Sequence, residues 1–256
     1  MQIDEIRTSK LILTGYAKKL ENALSVDVAI VGGGPSGLVA AYDLARAGKK
    51  VVVFEKRLSP GGGMWGGAMG FNELAVEKDA ADILEEMGIR YRVEGNDIIA
   101  DSVEATGALI YNAVHAGATI LNIMNIEDVA IRDNRVMGLV INWTTIELAK
   151  LIVDPLVIEA RAIVEGTGHD CHIAKLIVKH GFKLNTSTGG IVGEGAMWAE
   201  KGEAFVVENT KSIFPGVYVS GMAACGIFGG PRMGPIFGGM LKSGRKVAQL
   251  ILKDLK

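Results

Sequence analysis

Residues 26–37 read VDVAIVGGGPSG, and no other stretch restricts the fold of this 256-residue chain as tightly. Six mostly apolar residues bounded by glycines predict a buried strand. LVAAYDLARAG (38–48) then predicts a helix stopped by Gly48, and KKVVVFEK (49–56) a second strand. Strand, helix and strand within about 30 residues make a parallel pair, because parallel strands need a crossover of this length. Gly32, Gly34 and Gly37 form G-x-G-x-x-G at the strand-to-helix turn, the context the pattern requires. The first glycine permits the tight turn, the second lets backbone approach a pyrophosphate, and the third lets helix and strand pack closely. The helix start offers free N–H groups to phosphate, and Ser36 adds a hydroxyl. Glu55 ends the second strand. A carboxylate there accepts from ribose hydroxyls and disfavours a 2′-phosphate, so NAD or FAD is expected rather than NADP.

The remaining pattern alternates strands and helices, as in an α/β fold with a parallel sheet. An amphipathic helix is expected over 3–23. AVEKDAADILEEMG (75–88) predicts a helix, RYRVEGNDIIA short strands, and SVEATGALIYNAVHAG (102–117) a helix with Ser102 as N-cap. Residues 118–143 predict a strand and then a hairpin around RDNR. ARAIVEGTG predicts a buried strand, CHIAKLIVKHG a helix, GVYVSGMAA a late strand and turn, and the C-terminal residues a closing helix. No repeat or linker interrupts the chain, so one domain is expected over 1–256. The formal charge of −2 provides no basic field for nucleic acid. Cys171 and Cys225, the two cysteines, lack metal-site spacing and suit a reducing compartment. With acidic residues in MQIDEIRTSK and no apolar run of membrane length, a cytoplasmic protein is expected.

Three further features bear on chemistry. GGGMWGG (61–67) suits a loop in close contact with a ligand. In GGPRMGP, Arg232 is either a two-point clamp for a carboxylate or a surface arginine. Asp154 and His169 are donors suited to Fe(II), Mn(II) or Zn(II); alternatively, Asp154 caps a turn and His169 is a core histidine. His115, His172 and His180 fall in predicted helices and read as surface or structural residues. No G-x-S-x-G elbow supports a hydrolase, and Gly221-Met222 stands where many two-dinucleotide flavoproteins carry Gly-Asp.

As a set, VDVAIVGGGPSGL, VVVFEK, GGGMWGG, DSVEAT, GLVINW, VDPL, Gly168-His169-Asp170 and GMAA…GGPRMGPIFGGM resemble the thiamine thiazole synthase family, in particular its archaeal-type sulfide-using branch. The resemblance covers nearly the whole chain. It implies a glutathione-reductase-like α/β fold: a central parallel sheet, a β-meander crossover and a smaller substrate-side layer. It implies that NAD is a substrate, which loses nicotinamide, condenses with glycine and takes up sulfur to give an ADP-thiazole carboxylate. It also implies Fe(II) bound by Asp154 and His169 from neighbouring subunits of a homo-octamer. Ser36, Glu55, Lys56, Gly63, Val129 and Met222 would line the NAD site together with Ile152, Val153 and Asp154. Arg232 would hold the glycine carboxylate. One position departs from the pattern. Where the self-sacrificing branch has Cys and the sulfide-using branch commonly His, this chain has Ile152, which can neither give sulfur nor bind metal. Cys171 is the alternative internal sulfur source. Three other functions stand beside this one: an FAD- or NAD-dependent oxidoreductase, an isomerase of ribose bisphosphates, which suits a dinucleotide cradle badly, and an NAD-binding protein impaired in catalysis by Ile152.

Overall fold

The computed structural model describes residues 3–67 and 69–255. Helix α1 (Glu5–Ala23) leads into β1 (Ser25–Val31), α2 (Pro35–Arg46) and β2 (Val51–Glu55). Strand β3 (Glu73–Glu77), helix α3 (Ala81–Glu86) and strands β4 (Tyr91–Glu94) and β5 (Asp97–Asp101) follow. Next come α4 (Ser102–His115), β6 (Thr119–Asn122), β7 (Met124–Arg132), β8 (Arg135–Trp143), α5 (Thr144–Leu148) and β9 (Leu156–Glu165). The chain ends with α6 (His172–Lys179), α7 (Ala199–Glu208), β10 (Ser212–Phe214), β11 (Val217–Val219), α8 (Met222–Phe228) and α9 (Gly238–Asp254).

The large sheet runs β10-β11-β9-β1-β2-β6. Strand β1 lies at its middle, parallel to both β2 and β9. The ten residues of β9 reach further than β1 requires. Their first half pairs antiparallel with β8 of the β7–β8 hairpin, and their last residues pair parallel with β11. Successive side chains of a strand point to opposite faces, so β1 feeds two cores. Val28 and Ile30 pack with α2, α4 and α9, whereas Ala29 and Val31 pack with the β7–β8 hairpin, α6 and α8. Strands buried on both faces read as unbroken apolar runs, which is why VDVAIV and VVVF are legible as strands. The fold is thus of the FAD/NAD-binding α/β type, with a mostly parallel central sheet and a small antiparallel sheet, β3-β5-β4, beside it.

Two expectations are corrected. The helix expected over 75–88 is divided. Its first residues belong to β3, where Leu74 pairs with Ala100 and Val76 with Ile98, and α3 itself covers only Ala81–Glu86. Ala, Glu and Lys favour helix locally, but burying Leu74 and Val76 against β5 outweighs that preference. Ser102 is not the cap of α4. Asp101 is, its Oδ1 accepting from Glu104 N–H at 2.8 Å, while Ser102 donates its hydroxyl to Trp65 O at 2.8 Å. Helix α1 forms as expected, but Ile3, Ile6, Leu11, Ile12 and Leu13 are exposed and only Ala23 of the helix is buried. Among the described residues, no helix is long and apolar enough to cross a membrane.

Candidate functional site

The site begins where β1 ends. Gly32 has φ +99°, and a Cβ on it would lie 2.4 Å from Gly166 O. Only glycine meets both demands. Gly34 is the N-cap of α2 and Pro35 its first residue. The first intrahelical bond runs from Leu38 N–H to Gly34 O, leaving the N–H groups of Ser36 and Gly37 ahead of it. A Cβ on Gly37 would stand 2.2 Å from Gly32 O, so Gly37 lets the helix close onto the turn. At the end of β2, the buried Glu55 accepts from Gly33 N–H at 2.9 Å through Oε2 and from Arg57 N–H at 2.8 Å through Oε1. Both oxygens keep a lone pair for a ligand hydroxyl.

These groups open on a cavity of about 1110 Å³. Gly32, Gly34, Ser36, Glu55, Lys56, Gly63 and Met222 line it, and so do His169 and Arg232. Five residues singled out in the sequence do not. Gly37 is packed inside the turn. Val129 lies buried on β7. Ile152, Val153 and Asp154 are exposed in the segment between α5 and β9. The structure therefore brings the glycine turn, Glu55, His169 and Arg232 to one space and leaves Asp154 outside it.

His169 sits on the turn Gly168–Asp170 that links β9 to α6. This turn hangs from Glu165, a fully buried carboxylate at the end of β9. Its Oε1 accepts from the N–H and hydroxyl of Thr167 at 3.0 and 2.7 Å, and its Oε2 from the N–H groups of Ile173 and Ala174 at 2.6 and 3.1 Å. Four donors offset the desolvation of a carboxylate that would otherwise be costly to bury. His169 Nδ1 lies 2.6 Å from Glu194 Oε1, and Lys56 Nζ donates to Asp170 Oδ2 at 2.7 Å. That ammonium holds the Asp170 carboxyl below its ordinary range. His172 lines the cavity too, with Nε2 2.6 Å from Ile126 O, so it is a wall residue tied to the backbone. Desolvation pushes the thiols of Cys171 and Cys225 up to about 12, and both are buried. Nothing in the sequence marks Glu165 or Glu194. One lies within an apolar strand and the other in an irregular Gly-Glu-Gly segment.

The donor set bears on a metal. A neutral His169 ring with its proton on Nδ1, towards Glu194, would carry its lone pair on Nε2, the form that ligates a divalent ion. Among the described residues, no three His, Cys, Asp or Glu side chains converge on one point. His169 thus fits the donor role, and a metal there would need further ligands beyond it.

The fold and the glycine turn define a dinucleotide-binding type of protein, with His169, Glu194 and Arg232 lining the same cavity. Comparison with known proteins narrows the class. A Thi4 family profile matches residues 9–237. A thiamine thiazole synthase of Methanothermobacter thermautotrophicus is 53% identical over 259 residues, covering all of both chains. One of Pyrococcus horikoshii is 52% identical, covering 98% of each chain. The crystal structure of Thermovibrio ammonificans THI4 superposes with a TM-score of 0.97 at 52% identity, covering 99% of both chains. The chain belongs to the Thi4 family of thiamine thiazole synthases, enzymes of thiamine biosynthesis.

Proposed function

We propose that this enzyme converts NAD, glycine and sulfide to an ADP-thiazole carboxylate with release of nicotinamide, using Fe(II). The observation that carries this reading is the shared cavity: the phosphate cradle, Glu55, Arg232 and His169 all line it. Its volume exceeds the roughly 300–1,000 Å³ of sites for drug-sized ligands, as a dinucleotide with an added amino acid needs.

In this reading the start of α2 holds the pyrophosphate, and Glu55 accepts from the adenosine ribose. Arg232 binds the glycine carboxylate through two N–H donors. Fe(II), when bound, supplies Lewis acidity and a place for sulfide. His169 is its ligand from one subunit, and Asp154 its ligand from a neighbouring subunit of a homo-octamer. Sulfur comes from outside the chain. The Ile152 side chain has none, and thiols held near 12 are not thiolates at neutral pH.

The test is anaerobic. Metal-stripped protein is incubated with NAD and glycine, Fe(II) and sulfide are added, and the small molecules are read by mass spectrometry. An ADP-thiazole carboxylate that requires both additions is the expected result. NAD recovered intact under all conditions overturns the proposal.

A further inference from the structure

Glu194 lies in the irregular segment between α6 and α7, yet its backbone is tied on both sides. Val192 and Gly193 donate N–H bonds to Ile227 O and Gly226 O at 3.1 and 2.9 Å, and Gly195 donates to Gly230 O at 2.9 Å. The side chain crosses α8 at Gly226. A Cβ there would lie 3.8 Å from Glu194 Cγ and 2.5 Å from Cys171 Sγ. One bare spot on α8 thus seats both Glu194 and the residue that follows the His169 turn. The turn is anchored independently by Glu165. The 2.6 Å contact between His169 Nδ1 and Glu194 Oε1 joins two groups that are each fixed by their own backbone. The side chains of His169 and Glu194 are 50% and 23% exposed, so what sets this contact apart from a pairing of mobile surface groups is the anchoring of both backbones.

With Glu194 Oε1 as the acceptor, this contact is a hydrogen bond when Nδ1 carries the proton. We infer that Glu194 is a positioning residue that holds His169 as the Nδ1–H tautomer, with Nε2 free for a divalent metal. The inference rests on the metal-bearing reading of His169. It adds that the ring is oriented before metal arrives, by a carboxylate from a segment the sequence leaves unmarked. Carboxylates that hold ligating histidines in this way commonly matter about 10–100-fold in metal affinity.

Two measurements test it on the full-length protein. The first is the 15N NMR signature of histidine-labelled, metal-free enzyme, which reports the tautomer without any metal. The second is anaerobic Co(II) titration, with NAD affinity as the control. In the wild type His169 should be the Nδ1–H form. Glu194→Ala should move it to the Nε2–H form and weaken Co(II) binding about 10–100-fold, a larger loss than any in NAD affinity, since Glu194 also lines the cavity. Glu194→Gln keeps an accepting oxygen and should keep the tautomer, with a smaller loss of metal. An unchanged tautomer in Glu194→Ala overturns the inference. So does a complete loss of Co(II) equal to that of His169→Ala, which would make Glu194 a ligand. A wild type that binds no Co(II), and is indistinguishable from His169→Ala in that titration, removes the metal reading; the tautomer result then still judges the Glu194 contact by itself.

Discussion

Replacing Glu203 with glutamine should make the protein relatively more stable as pH rises. Glu203 lies on α7 and is only 2% exposed. Its Oε2 accepts from Gly239 N–H at the start of α9, and its buried Oε1 has no partner among the described residues. Desolvation raises the carboxyl from 4.5 to about 7. The charges of Glu77 and Asp79 push the same way, while Gly239 N–H and Lys242 oppose. The folded value lies above the unfolded one, so the native state holds its proton to higher pH. Stability from this group is therefore complete below the unfolded value near 4.5 and is lost as pH rises towards 7. A rise of that size corresponds to about 3 kcal/mol at 1.36 kcal/mol per pH unit. Glutamine has nearly the same shape and does not ionise. Its stability relative to the wild type should grow by up to about 3 kcal/mol between pH 4.5 and pH 8. For a chain of this size that is a widening of roughly 6–12 °C in the difference of melting temperatures. Thermal melts of both proteins across that range, at one protein concentration, are the assay. A difference that stays flat, or that narrows as pH rises, refutes the reasoning.

Other outcomes follow from single contacts. Gly37→Ala should lose NAD binding, measured by calorimetry, because its Cβ would stand 2.2 Å from Gly32 O in the cradle. Glu165→Ala strands four donors and should destabilise the fold by roughly 3 kcal/mol or more, with faster amide exchange at Ile173 and Ala174. Cys171 and Cys225 should resist alkylation in the native enzyme at pH 8, and the protein mass should be unchanged after turnover. Asp154→Ala and His169→Ala subunits, each inactive alone, should regain thiazole synthesis when co-expressed.

What could be read from the sequence was what local chemistry determines. VDVAIVGGGPSG announces strand, turn and helix because each residue type there answers a backbone or burial demand that its neighbours share. The hairpin at RDNR is legible for the same reason: Asp133 and Asn134 both take positive φ, which these residues tolerate. Residues 75–88 misled because Leu74 and Val76 find their partners in β5, beyond any local window. The sequence pattern predicts no helix at α7, although it carries the buried Glu203. Glu165 and Glu194 left no trace because their roles arise from what they meet in space. A carboxylate within an apolar strand looks like a mistake until four donors are seen around it.

The placement of Asp154 follows the same logic, and it turns on a length. Asp154 precedes the first residue of β9, and His169 follows its last residue by four positions. A ten-residue strand spans roughly 30 Å, so the two side chains belong to opposite ends of the sheet. Ligands of one ion stand within about 2–3 Å of it. A single copy in this conformation does not bring them together: His169 lines the cavity and Asp154 does not. Its surroundings fit a second copy. Leu148, Leu151, Ile152 and Val153 are all exposed, with Ile152 fully so, although a surface loop with no partner has little reason to present four large apolar side chains in six residues. Pairing Asp154 with His169 at a metal in this conformation thus requires an oligomer whose interface carries part of the active site, and co-expression of the two inactive subunits tests that requirement directly.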